Sequence, residues 1–596
     1  MVASTHWLAS QTGMGVLERG GNAFDAAVAT GFVLQVVEPH LNGPAGDLPA
    51  VVWSEADQRA HVVCGQGTAP SAATPQVFAD LGLDAVPGTG PLAAVVPGAF
   101  GAWLLMLQRW GTWSLREVLE PAIGYALEGA PVLPRVSATV AAMAPQFTAE
   151  WTPSAATYLV AGAAPAPWSR LRLTTLGRTY QRVLDEAEAA GTDRDAQIDA
   201  ARRAWYSGFV AEAVDAFGRD RAWLDTSGER HHGLLTGADM AGWSATLEEP
   251  LLAGYRDVQV AKTGPWGQGP ALLQMLRLLD EIGLPDRLDD ADPAWVHAVL
   301  EANKLAMADR EAWYGDPRFT DVPVPDLLSD GYTRERAALV DPRSADLDLR
   351  PGAPGGRTPR MPVPPAAGPG SGGAAVPGVG EPTVRRQEPD PPVEGDRGAR
   401  GDTCHVDVAD RWGNLVSATP SGAWLQSSPV VAELGFPLGT RAQMFWLEPG
   451  LPASLRPGAR PRTTLSPSLA LRDGRPWMAF GTPGGDQQDQ WQLLFLLRAV
   501  HGPRGVDQAL QAAVDAPMLH SDHAPSSFYP RQAKPGRVVL EDRWPAGTRA
   551  ELARLGHDVQ AVDGWSLGRL CAVARDGEWL RAAANSRGAQ GYAVGR

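Results

Sequence analysis

The chain has 596 residues, with 52 Lys+Arg against 67 Asp+Glu and a net charge of -15, which disfavours an electrostatic grip on nucleic acid or on an anionic membrane. Hydrophobic residues make up 44% and charged residues 20%, a balance that excludes a disordered chain and predicts a soluble globular one. Cys64, Cys404 and Cys571 are far apart and form no CxxC pair, so neither a disulfide framework nor a thiolate metal site is indicated, and no metal or other cofactor is expected.

Residues 1–7 lack the basic start and apolar core of a secretion signal, so the expected location is cytoplasmic. Helical spacing then predicts a helix over residues 7–20, stopped by Gly20-Gly21, and a second, largely buried helix from Asn22. Residues 50–54 and 61–64 read as strands. Residues 86–108 are nearly uncharged but carry Pro87, Pro91 and Pro97, which rules out a membrane-spanning helix there. Further helices are expected over residues 104–110, 115–127, 180–190 and 295–314.

From about residue 350 to residue 402 the sequence is dominated by Pro and Gly and offers almost nothing to a core; it is expected to be a disordered linker. It separates a mostly helical part with core strands, residues 1–349, from residues 403–596. The second part opens with period-two alternation over residues 404–409, a turn at Asp410-Arg-Trp-Gly-Asn414 and a returning strand over residues 415–419. Runs at 468–472, 477–480 and 537–541 keep strand character. Helices over a strand-rich sheet predict an α+β fold.

The chemistry points to the junction Gly401-Asp402-Thr403-Cys404-His405. If the Asp402–Thr403 bond is cut, Thr403 carries both a hydroxyl nucleophile and an α-amine with a pKa of about 8 that can act as its general base. Such a residue needs no His or Asp partner. The cut itself can be an attack of the Thr403 hydroxyl on the Asp402 carbonyl. An Asp-Thr dipeptide alone is a weak signal, since Asp225-Thr226 occurs in an ordinary loop.

The surrounding residues strengthen it. Thr403-x-His405-x-Asp407 followed by Gly413-Asn414-x-Val416-Ser417-x-Thr419 resembles the processing site of the γ-glutamyltransferase family, N-terminal-nucleophile enzymes that cleave themselves into two subunits. The resemblance extends to residues 20–29, 96–98, 234–240 and 301–317 in the first part, and to Arg462-Thr-Thr-Leu-Ser-Pro467, Gly481-Thr-Pro-Gly-Gly485 and Asp515-Ala-Pro in the second. It implies an αββα four-layer sandwich of the N-terminal-nucleophile type, made of two subunits from one precursor. Thr403 would be the nucleophile, Ser421 a hydroxyl beside it, and Gly484-Gly485 an oxyanion hole, where backbone amides without side chains approach closely. Thr463 and Thr464 stand where a Ser-Ser pair contacts the substrate carboxylate.

Departures from the family pattern concern the substrate. Gln66 stands where an Arg clamps the γ-glutamyl α-carboxylate, Ala423 where an Asn helps, Arg441 where a Gln is expected, and Met444 or Trp446 where an acid meets the ammonium. Without both charge partners a glutamyl head would be desolvated and poorly paired. The reading is therefore a self-processing amidohydrolase or acyltransferase acting on a small or non-glutamyl acyl amide, a range seen in family members that take oxamate or cephalosporin side chains. A true γ-glutamyltransferase or glutathione hydrolase, and a non-catalytic binding relative, are the alternatives. The expected partners are a small-molecule amide and the two subunits of the precursor, with no nucleic acid or membrane; a homo-oligomer of the heterodimer stays open. His520-x-x-His523 has metal-ligand spacing but reads as a surface turn.

Overall fold

A computed structural model describes residues 1–363, 403–502, 510–587 and 591–596. Asp402, and most of the expected linker, lie outside the described residues.

Two antiparallel sheets stack face to face. One has seven strands in the order Tyr592–Val594, Val2–Ser4, Val406–Ala409, Leu415–Ala418, Leu48–Ser54, Arg59–Gly65 and Thr246–Glu248. The other has six, in the order Trp579–Ala584, Cys571–Asp576, Arg475–Gly481, Ser468–Arg472, Val258–Lys262 and Leu251–Tyr255. Between them Val51, Trp53, Val62, Leu415, Leu469, Leu471 and Val573 form one apolar layer. Helices cover both outer faces, Ala23–Val37 and Ala99–Trp110 over the first sheet, Gly269–Ile282, Pro293–Trp313 and Gln488–His501 over the second. The fold is thus α+β, with the four layers in the order αββα.

The helix Ala23–Val37 is buried along its whole length. Its start is set by a capping box in which the Asn22 side chain accepts from Asp25 N and the Asp25 carboxylate accepts from Asn22 N. Trp103 packs so tightly on Gly31 that a Cβ there would lie 2.2 Å from its ring, which is why a glycine is tolerated inside this helix. The helix ends at Glu38 and delivers that carboxylate beneath the sheet.

The hairpin Val406–Ala409/Leu415–Ala418 pairs Val406 with Ala418 and Ala409 with Leu415. Its turn is held by Asp410 Oδ1, which accepts from Trp412 N, Gly413 N and Asn414 N, while Gly413 takes φ +107, a backbone region that suits glycine.

The packed first part runs beyond residue 349. Gly352 N donates to Asp309 Oδ1 at 2.7 Å and Trp313 Nε1 donates to the Gly352 carbonyl at 3.1 Å, so the chain at Gly352 is tied to the helix Pro293–Trp313. The Pro/Gly content concealed this, because the bonds are made by backbone groups that any sequence carries. Among the described residues, no helix is long and apolar enough to cross a membrane.

Candidate active site

Continuing the hairpin register three residues past Val406 and Ala418 brings Thr403 opposite Ser421 in an isolated antiparallel bridge. Their hydroxyls lie 3.1 Å apart. Both residues are fully buried. Thr403 Oγ1 also reaches the Gly484 carbonyl at 3.5 Å, so the strand Arg475–Gly481 of the second sheet and the turn after it complete the site. Gly484 has φ +132, and a Cβ on it would approach the Trp491 ring to 2.7 Å. The N–H groups of Gly484 and Gly485 donate to no other group among the described residues. The Gly484 N–H is the free amide of this turn that can serve a developing oxyanion, whereas the Gly485 N–H, trans to the carbonyl that faces Thr403 Oγ1, points away from it.

Three residues that the sequence did not single out surround Thr403. Asp47 exchanges backbone bonds with Ser421, its N–H donating at 2.7 Å and its carbonyl accepting at 3.1 Å. Glu38 Oε2 accepts from Cys404 Sγ at 3.0 Å and from Thr5 Oγ1 at 2.8 Å. Arg569 Nη2 donates to the Thr403 carbonyl at 3.4 Å and its Nη1 lies 4.0 Å from Glu38. Asp47 closes the stretch Asn42-Gly-Pro-Ala-Gly-Asp47 that leads into the strand Leu48–Ser54. Burial, and then the Glu38 carboxylate, push the Cys404 thiol far above its ordinary value, so the thiolate that nucleophilic cysteine requires is suppressed.

The remaining predicted residues divide. Met444 packs with Trp424 and Phe528, whereas Trp446 packs with Leu451 and Ala453 under the Arg531 guanidinium; Met444, not Trp446, belongs to the Arg441 neighbourhood. Arg441 Nε donates to Asp47 Oδ2 at 2.6 Å. Gln66 lies one residue past the Leu48–Gly65 pair, and its buried amide has no hydrogen-bond partner among the described residues. Ala423 is buried with φ +53. Thr463 Oγ1 accepts from Leu465 N at 3.2 Å, while the buried Thr464 hydroxyl has no partner among the described residues. Arg462 donates to Glu311 at 2.7 Å and to the Arg310 carbonyl at 3.2 Å and is committed to the interior.

His520 and His523 are buried, not on a surface turn. His523 Nδ1 accepts from Gly536 N at 3.0 Å and its other nitrogen is 3.3 Å from the Asp348 carbonyl. His297, Glu301 and His557 do approach within 4.8 Å of one another. However, His297 spans His557 and the Asp341 carbonyl at 2.9 Å each, and the Lys304 ammonium lies on Glu301 at 2.7 Å, so these donors are used internally.

The αββα layering is a fold of the N-terminal-nucleophile type. Residues 9–595 match the gamma-glutamyltranspeptidase family, and the chain belongs to it. The solved structure of LmbA2991HD is 54% identical with a TM-score of 0.91, covering 100% of this chain and 98% of that one. The acylase ACY 1 proenzyme of Pseudomonas sp. strain SE83 is 30% identical over 94% of this chain and 87% of its own length. The glutathione hydrolase proenzyme of Bacillus subtilis strain 168 is 28% identical over 94% of this chain and 84% of its own. Family membership makes the chain an amidohydrolase or acyltransferase by class.

Proposed function

We propose that the chain is a self-processing amidohydrolase or acyltransferase whose nucleophile is Thr403 and whose substrate is a non-glutamyl acyl amide. The observation that carries this reading is the 3.1 Å contact between the buried Thr403 and Ser421 hydroxyls. In processing, Thr403 Oγ attacks the Asp402 carbonyl, the peptide nitrogen leaves as the α-amine of Thr403, and water hydrolyses the resulting ester. In turnover, Thr403 Oγ adds to the substrate amide carbonyl and passes its proton to the α-amine. The tetrahedral intermediate then expels the amine, which takes up that proton. Water or an acceptor amine releases the acyl group. In this scheme Ser421, 3.1 Å from the Thr403 hydroxyl, relays its proton.

The apolar company of Met444, with Trp424 and Phe528, speaks against a γ-glutamyl head, whose ammonium would find only the Asp47 carboxylate, already held by Arg441. Denaturing electrophoresis with N-terminal sequencing tests the reading: a small chain should begin at Thr403. A chain that stays intact through prolonged incubation while folded would remove self-processing. An amide screen on processed protein tests turnover.

A further inference from the structure

Arg569 is 2% exposed and reaches three elements of the site. Its backbone N–H donates to Thr482 Oγ1 at 3.0 Å, inside the turn at residues 481–485. Its Nη2 donates to the Thr403 carbonyl at 3.4 Å, and its Nη1 stands 4.0 Å from Glu38 Oε1. The other oxygen of that carboxylate accepts from the side chains of Cys404 and Thr5. One arginine therefore joins the turn that follows a strand of the second sheet, the first peptide unit of the nucleophile segment in the first sheet, and the carboxylate at the end of the helix Ala23–Val37.

Cleavage before Thr403 turns that residue into a chain end, and chain ends fray unless they are tied down. Beyond the Val406–Ala418 pair the ladder narrows to the Thr403–Ser421 bridge and to the Cys404 N–H, which donates to the Pro420 carbonyl at 3.0 Å. The bond from Arg569 adds a hold on the same peptide unit from the opposite sheet. Charge keeps the guanidinium in place: burial pushes the Glu38 carboxyl up, and Arg569 is the largest influence opposing that rise. A planar guanidinium can meet a carbonyl and a carboxylate at once with less freedom to lose than an ammonium. The Cys404 thiol is a weak donor, so the Arg569 bond is the stronger of the two ties to Thr403 and its neighbour.

We propose that Arg569, oriented by Glu38, is a positioning residue that fixes Thr403 relative to the turn at residues 481–485, so that the hydroxyl attacks a carbonyl whose oxygen falls at the Gly484 N–H. The proposal rests on Thr403 as nucleophile. Arg569 holds a main-chain carbonyl and acts on the reaction only through the placement of Thr403; a misplacement of about 1 Å can cost on the order of 100-fold in rate.

The test compares processed wild type with Arg569→Gln, Arg569→Lys and Glu38→Gln on the best amide from a substrate screen. Arg569→Gln should lower kcat by about 10- to 100-fold while KM stays within about 2-fold, because the substrate contacts are kept and only the nucleophile is displaced. Self-cleavage, which uses the same hydroxyl, should slow in parallel. Arg569→Lys should fall between Arg569→Gln and wild type, and Glu38→Gln, which leaves the guanidinium its carbonyl bond, should lose less than Arg569→Gln. Hydrogen exchange across residues 403–409 should quicken in Arg569→Gln, with residues 48–54 of the same sheet unchanged. A merely structural role would lower stability and leave kcat of the folded, processed protein at the wild-type value, which overturns the proposal, as does a loss carried by KM alone. If Thr403→Ala keeps its turnover, the nucleophile reading fails separately, and exchange then decides whether Arg569 holds this segment: unchanged exchange in Arg569→Gln removes the clamp. Should Arg569→Gln not fold because Glu38 is left as an unpaired buried charge, Arg569→Gln combined with Glu38→Gln removes both charges, and Arg569→Lys keeps the pair. A lowered kcat at constant KM in either supports the proposal, and wild-type kcat in both removes it.

Discussion

The Cys404 thiol donates to the Glu38 carboxylate at 3.0 Å, one residue along the chain from Thr403. The two neighbouring side chains therefore have different tasks: one is buried as a hydrogen-bond donor, the other lies against Ser421. Thr403→Ala should abolish both cleavage and turnover, and Thr403→Ser should retain part of each. Cys404→Ala should leave turnover within a few-fold of wild type and lower stability by about 1–3 kcal/mol, for a lost hydrogen bond to a charged acceptor and a small cavity. Electrophoresis, kinetics and denaturant melts separate these outcomes. Activity lost with Cys404→Ala and kept with Thr403→Ala would reverse the assignment.

Gly484→Ala meets two obstacles at once, the φ of +132 and the Trp491 ring 2.7 Å from the new Cβ. Displacing this turn should lower kcat by about 10²- to 10³-fold, the scale of losing one oxyanion donor, and lower stability by about 1–3 kcal/mol through backbone strain. Pre-steady-state acylation with an activated ester should show the loss in the acylation step. An unchanged acylation rate would place the oxyanion elsewhere.

Glutathione and γ-glutamyl anilides should be poor substrates, with kcat/KM below that for the best non-glutamyl amide by about 100-fold or more. Met444→Asp alone should not improve them, because it buries a carboxylate between Trp424 and Phe528. Combined with Gln66→Arg, the change should raise γ-glutamyl turnover, since the ammonium and α-carboxylate of the substrate then each have a partner. Efficient wild-type turnover of a γ-glutamyl anilide would contradict the reading of this pocket.

Burial holds the imidazoles of His6 and His557 down at about 3 and that of His523 at about 4, the Lys304 ammonium adding to the effect at His523 and His557. In the unfolded chain each takes its proton near about 6.5. Between these limits the unfolded state holds more protons. The stabilisation is therefore complete above about pH 6.5 and is lost as pH falls toward 4. Denaturant midpoints should fall between pH 7 and pH 5, and His557→Gln, which can keep a bond to His297, should make the fall shallower. A midpoint independent of pH over that range would show that these rings are accessible to protons in the folded state.

Sequence alone carried the local and the patterned features of this protein. The period-two run after Thr403 and the Asp410-to-Asn414 turn define the hairpin, and once a turn sets a hairpin's register, every opposite pair follows, Thr403 and Ser421 included. Asn22 and Asp25 likewise mark the start of the buried helix by their spacing. What needed the tertiary structure was every contact between residues distant in sequence. Nothing in the sequence around Glu38, Asp47 or Arg569 indicates that they converge on one threonine, because convergence depends on how two sheets and a helix end stack. The same holds for Arg441, whose pairing with Asp47 spans most of the chain, and for the choice between Met444 and Trp446, which lie two residues apart and pack into different clusters. Gly352 is held by bonds from its backbone to the Asp309 and Trp313 side chains, and composition is blind to such bonds because every residue type has a carbonyl and nearly every type an N–H.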